Sequence, residues 1–276
     1  VFDTAMKCVA GQRVEDLESL LPLFAEYNYV RSTVAKAATG TYVGKVQANG
    51  TVAWKGIQYA TAGRFEKPVM VPESSETIEC FEHGPASTAG DPGALNLVVY
   101  ANPNSTSTNK SVFVWQYGSA QLGGSTSKTD WSRFVEENPD IIVVTPNHRG
   151  GFWGSIDLSS LEGYDEVKDT YKYSNNLARL DILECLKWVN KNIAAFGGNP
   201  NDVTIGGHSS GSNNMTCMLL MEESHPYFQK AACQASFSVD ISLQPLEDAQ
   251  FVSKDFFSKL GVTTVDELLS KSADEI

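Results

Sequence analysis

Gly207, Ser209 and Gly211 alternate with His208 and Ser210, directly after the apolar run Val203 to Ile205 and directly before a helical run that begins at Ser210. A serine spaced in this way between a predicted strand and a predicted helix suits a nucleophile elbow. The turn is sharp, its dihedrals are strained, and side chains at the two glycine positions would collide with the neighbouring strand and helix. Ser209 is thereby lifted toward solvent. The helix behind it aims backbone N–H groups at any anion formed there. The chemistry open to such a residue is nucleophilic catalysis through a covalent intermediate.

The remaining reactive side chains are less organised. His208 adjoins Ser209 in sequence, and neighbouring side chains on a turn diverge, so it reads as a buried local polar residue rather than a general base. His83, His148 and His225 sit in no motif that marks them as catalytic. Cys8, Cys80, Cys185, Cys217 and Cys233 are odd in number and contain no Cys-x-x-Cys pair, which argues against a zinc site or a complete disulfide framework. At least one thiol is free or paired outside the chain, and no metal or cofactor is expected. Asn49, Asn104, Asn109 and Asn214 open Asn-x-Ser/Thr triplets, which matter only in a glycosylating compartment.

The elements that must position Ser209 are legible as short apolar runs and one amphipathic helix. Leu95 to Tyr100, Ser111 to Trp115, Ile141 to Thr145 and Val203 to Ile205 are bounded by turn residues, as strands buried on both faces should be. Between the last two, Leu180, Leu183, Leu186, Val189 and Ile193 recur at helical spacing and Gly197 to Pro200 stop the helix. Strands alternating with helices imply a largely parallel sheet with crossover helices. Thr51 to Trp54 read as a strand after an Asn49-Gly50 turn, Ser210 to about Met221 as a helix, and Leu246 to Ile276 as further helix. Residues 14–38 carry a mostly helical pattern broken by Pro22, so residues 1–38 are expected to be a helical N-terminal extension.

With 42% hydrophobic and 20% charged residues, the 276-residue chain has the balance of an ordinary globular protein. Its formal charge of −12 repels phosphate backbones and anionic surfaces, which argues against nucleic acid as a partner. The longest apolar stretches have strand length, far short of the roughly 20 residues that span a bilayer. The chain begins at Val1 without a basic-then-apolar leader, so a processed or excised start is expected and the compartment stays open between secreted and cytoplasmic.

A longer run then becomes specific. Asn192, Ile193, Phe196, Gly197, Gly198, Asn199 and Pro200 lead through Val203, Thr204 and Ile205 to Gly207, Ser209, Ser210 and Gly211. This resembles the N-I-x-x-F-G-G-D/N-P-x-x-V-T-I/L-x-G-x-S-A/S-G run of type-B carboxylesterases and cholinesterases. Gly56 to Ala60 with Arg64, Phe65 and Pro68 resemble that family's G-I-P-Y-A…R-F…P stretch. Asn147, His148, Arg149, Gly151 and Gly154 resemble its N-Y-R-x-G-x-x-G, and Asn176 to Asp181 its N-x-G-L-x-D. The resemblance covers roughly residues 40–276 and only the first half of the family's usual length.

The resemblance implies an α/β-hydrolase fold, with a mostly parallel central sheet and helices on both faces. Residues 39–276 would be its N-terminal part, incomplete in this chain. It implies a serine hydrolase of carboxylic esters, with Ser209 as nucleophile and Gly207 and Gly211 as the elbow glycines. The oxyanion donors would be the backbone N–H groups of Ser119, Ala120 and Ser210, although Ser119 and Ala120 depart from the family's Gly-Gly-Gly loop. His208 stands in place of the usual Glu. Cys80 matches the first half of a family disulfide whose partner position holds Pro92, so that bridge is expected to be missing. The family's general base and acid lie farther along the chain than Ile276 normally allows. They are expected from outside this chain, either from a C-terminal segment of the same precursor or from a second chain. The substrate would be a small ester, and Tyr117, Phe152 and Trp153 suit an apolar or aromatic acyl group, although each reads first as a core residue. Two other readings remain: a noncatalytic cholinesterase-like binding protein, and an acyltransferase or lyase on the same scaffold.

Overall fold

The computed structural model describes residues 33–86, 94–105, 107, 109–236 and 243–276. Strands β1 (Val34–Ala37), β2 (Gly40–Val46), β3 (Val52–Gln58), β6 (Thr77–Cys80), β7 (Asn96–Ala101), β8 (Lys110–Gln116), β9 (Ile141–Pro146), β10 (Gly198–His208) and β11 (Lys230–Gln234) form one sheet. Their order is β1-β2-β3-β7-β9-β8-β10-β11, with β6 alongside β2. Two further short strands, β4 (Ala60–Thr61) and β5 (Val69–Met70), pair separately. Within the main sheet, β9, β8, β10 and β11 run parallel, whereas β1, β2, β3, β7 and β9 pair antiparallel in succession. The site-bearing half is therefore the parallel half that crossover connections demand.

The apolar runs become strands because both their faces are covered. Along β7, Leu97 and Val99 join one core with Val112, Val114, Val144 and Ile205, while Val98 and Tyr100 join a second with Val135 and Val143. Helix α1 (Ser132–Glu137) supplies Val135 on one face, and α4 (Leu177–Asn192) supplies Leu183, Leu186 and Val189 on the other. The remaining helices are α2 (Gly151–Gly154), α3 (Tyr164–Tyr171), α5 (Ser210–Leu220), α6 (Leu246–Leu260) and α7 (Val265–Ser270). The expected α/β-hydrolase architecture is present. Beyond α4 the chain continues as a 3-10 turn over Ile193–Phe196, and Gly197 closes it at φ +86°, the left-handed conformation that glycine takes without strain.

Two expectations change. The helical extension lies outside the described residues up to position 32, and Val34 to Ala37 already form β1, where Ala35 is buried and its neighbours point outward. Val203 to Ile205 had read as the last strand, yet β11 pairs in parallel with β10, from Thr204 opposite Lys230 to His208 opposite Gln234. All five β11 residues are exposed, so no buried apolar run marked that strand in the sequence.

Candidate active site

The elbow is built as its glycines require. β10 ends at His208 and α5 starts at Ser210, which leaves Ser209 alone to turn the chain, at φ +54° and ψ −127°. That is the first central position of a type II′ turn, normally given to glycine, and a serine held there stores about 1–3 kcal/mol of strain. Neighbouring backbone holds it. Ser209 N–H donates to Gln234 O at 3.1 Å, and Ser209 O accepts from Asn213 N–H at 3.1 Å as the helix begins. A Cβ on Gly211 would lie 2.3 Å from Gln116 O and 2.4 Å from Tyr117 O, and one on Gly207 would lie 2.6 Å from the Gly211 carbonyl carbon. Both glycines are thus fixed by close backbone approach.

Parallel pairing of β8 with β10 places Gln116 opposite Gly207, so the segment after β8 emerges beside the elbow. A Cβ on Gly118 would come within 2.9 Å of Ser209 Cβ, which measures how closely this loop lies against the serine. Ser119, Ala120 and Ser210 meet here. Ala120 and Gln121 take φ +53° and +63°, and the Ser119 N–H donates to Ser210 Oγ at 2.9 Å. Gln121 Nε2 donates to Ser210 O at 3.3 Å and to Asn214 Oδ1 at 2.7 Å, and Gly151 N–H donates to Gln121 O at 2.6 Å. The loop is clamped onto the first turns of α5. Among the described residues no side chain hydrogen-bonds the Ser209 hydroxyl.

Behind the loop, the Asn147, His148 and Arg149 run that follows β9 forms its support. Asn147 Oδ1 accepts from Tyr117 Oη at 3.1 Å and from Thr126 N–H at 3.0 Å. His148 is buried, with Nδ1 2.9 Å from Gln116 Nε2; burial, reinforced by the Arg179 charge, pushes its pKa down to about 4, so it is neutral at pH 7. Arg149 grips Asp181 through Nη2 to Oδ1 at 2.7 Å and Nε to Oδ2 at 2.9 Å, and its N–H donates to the same carboxylate at 2.9 Å. This buried fork anchors the run after β9 to α4.

Several sequence expectations are corrected here. His208 is exposed rather than buried, because it ends β10 beside the exposed strand β11. Tyr117, Phe152 and Trp153 keep their reading as packing residues: Tyr117 bonds Asn147, Phe152 stacks on Phe256, and Trp153 stacks on Phe65 with ring centroids 5.5 Å apart. Asn214, one of the four triplet asparagines, is fully buried against Gln121, which leaves no room for a glycan. Gln121 and Asn214 were missed as loop clamps. Their only sequence signal was position, one in the loop and one a helical turn beyond Ser210.

Cys80, Cys185, Cys217 and Cys233 are free, with only Cys233 exposed; Cys8 and Pro92 lie outside the described residues. Among the described residues no group of three His, Cys, Asp or Glu side chains could hold a metal ion, and no helix is long and apolar enough to cross a membrane.

A family model described as the carboxylesterase family matches residues 31–276. The chain is 33% identical over 262 residues to the para-nitrobenzyl esterase of Bacillus subtilis, covering 86% of this chain and 51% of that protein. It is 27% identical to the acetylcholinesterase of Danio rerio over 79% of this chain and 38% of that one. Among solved structures, a Geobacillus stearothermophilus carboxylesterase superposes with a TM-score of 0.79 at 30% identity, over 88% of this chain and 52% of that one. The chain spans about half the length of the curated relatives it matches.

Proposed function

The chain belongs to the carboxylesterase family, and from that premise we propose that it carries the nucleophile of a serine hydrolase that cleaves small carboxylic esters through an acyl-enzyme on Ser209. The observation that carries this reading is the Ser209 backbone, strained at φ +54° between a parallel strand and a helix N-terminus. In the reaction, Ser209 Oγ attacks the acyl carbon, and the carbonyl π pair moves onto oxygen. The hydroxyl proton passes to a base and then to the departing alkoxide; water afterwards releases the acid. Ala120 and Ser210 would offer backbone N–H groups to the oxyanion, at the positive end of α5. Since no side chain among the described residues engages the Ser209 hydroxyl, the base and its orienting acid would come from outside them, from a further segment of the same precursor or a second chain.

One observation favours a second reading, a noncatalytic binding protein on the same scaffold: the Ser119 N–H is already donated to Ser210 Oγ. Turnover of a chromogenic short-chain ester by the full natural protein separates the two. Hydrolysis that falls to background in Ser209→Ala, with an unchanged melting temperature, is the expected result. Equal turnover by both proteins would end the esterase reading of Ser209.

A further inference from the structure

The Ser210 hydroxyl occupies an unusual place. It is the side chain of the first residue of α5, 5% exposed, and it accepts the Ser119 N–H at 2.9 Å. A hydroxyl can donate one hydrogen bond and accept two. Among the described residues no acceptor takes the Ser210 proton. A buried donor left unused costs free energy unless something uses it. The Ser119 to Ser210 bond lies one residue along from the place where the loop meets the serine, since Gly118 lies against Ser209 Cβ.

We propose that the Ser210 side chain is itself a donor in the oxyanion hole, relaying the Ser119 N–H to the substrate oxygen. The proposal rests on the serine-hydrolase reading of Ser209. When Ser209 Oγ adds to the acyl carbon and the π pair settles on the carbonyl oxygen, the Ser210 O–H donates to that oxygen while continuing to accept from Ser119. No proton is transferred. A hydroxyl that accepts a hydrogen bond becomes a better donor. The loop is stiff enough to hold this geometry. Gln121 ties it to the Ser210 carbonyl and to Asn214, and the left-handed Ala120 and Gln121 fix its path. The departure from glycine at position 119 is thereby accounted for: the relay needs the backbone N–H alone, and the Ser210 hydroxyl supplies the reach.

The test uses the full natural protein, with Ser210→Ala and Ser210→Thr beside wild type. Ser210→Ala is expected to lower kcat about 100-fold, the usual effect of removing one oxyanion donor, with KM and melting temperature little changed. Its affinity for a trifluoromethyl ketone, which forms a tetrahedral adduct, falls in parallel, and Ser210→Thr, which keeps the hydroxyl, restores most of the activity. The inference is overturned if Ser210→Ala is as active as wild type or faster, for the hydroxyl would then merely block the Ser119 N–H. It is equally overturned if activity and melting temperature fall together and threonine restores neither. Fluorophosphonate labelling of wild type on Ser209 keeps the two claims apart: labelling with an indifferent Ser210→Ala sinks the relay alone, and absent labelling sinks the nucleophile on which it rests.

Discussion

Ser209 and Gly211 respond to substitution in opposite ways because one is strained and the other is crowded. Ser209→Gly puts a residue suited to φ +54° at the turn, and it is expected to raise stability by about 1 kcal/mol while abolishing turnover. Gly211→Ala drives a Cβ to 2.3 Å from the Gln116 carbonyl oxygen. Backbone on both sides must then move, at about 1–3 kcal/mol, and loss of activity should accompany the loss of stability. Thermal melts of the two variants read the contrast directly. His148 adds a pH dependence. Unfolded, it takes up a proton near its ordinary value of 6.5, but folded only near 4. Between those values the unfolded chain binds more protons, so stability present above pH 6.5 declines as pH falls toward 4, by about 3 kcal/mol in full. Urea titrations at pH 7 and pH 5 should show the slope, and His148→Gln should flatten it. Serine, glycine and their spacing revealed the elbow from sequence alone because sterics dictate those types. The Ser119 to Ser210 bond was not legible, since it depends on where a loop meets a helix.

At the scale of elements, the sheet is joined to α4 by the Arg149 and Asp181 pair, with side chains 7% and 0% exposed. Asp181→Ala leaves a buried guanidinium without its carboxylate and is expected to cost about 3–5 kcal/mol in unfolding free energy. A loss under 1 kcal/mol would mean that the anchor lies elsewhere. Strands β7 to β10 were readable because each is apolar where both faces are covered. β11 was not: Lys230, Ala231, Ala232, Cys233 and Gln234 are alanine-rich and exposed, and they form a strand only because β10 offers parallel hydrogen bonds. The end of the expected helical extension was misread for a related reason, as the helical pattern over 14–38 runs into Val34 to Ala37, which pair with β2.

For the whole molecule, the four free thiols among the described residues, three buried and one exposed, give a check on the packing. Cys80, Cys185 and Cys217 are buried, and burial pushes the Cys80 thiol up to about 12 and Cys185 higher still, so both resist alkylation. Cys233 is exposed on β11 and should react first with a thiol reagent under native conditions; fast modification of Cys80 or Cys185 would contradict the fold around them. Under the proposed function, the architecture as a whole holds one nucleophilic serine at a strained turn beside a clamped loop. The full natural protein should be treated with a fluorophosphonate, digested, and its adduct located by mass spectrometry. A single adduct on Ser209 and none in Ser209→Ala is the expected result. An unlabelled wild-type protein, or an adduct on another residue with Ser209 intact, would contradict it.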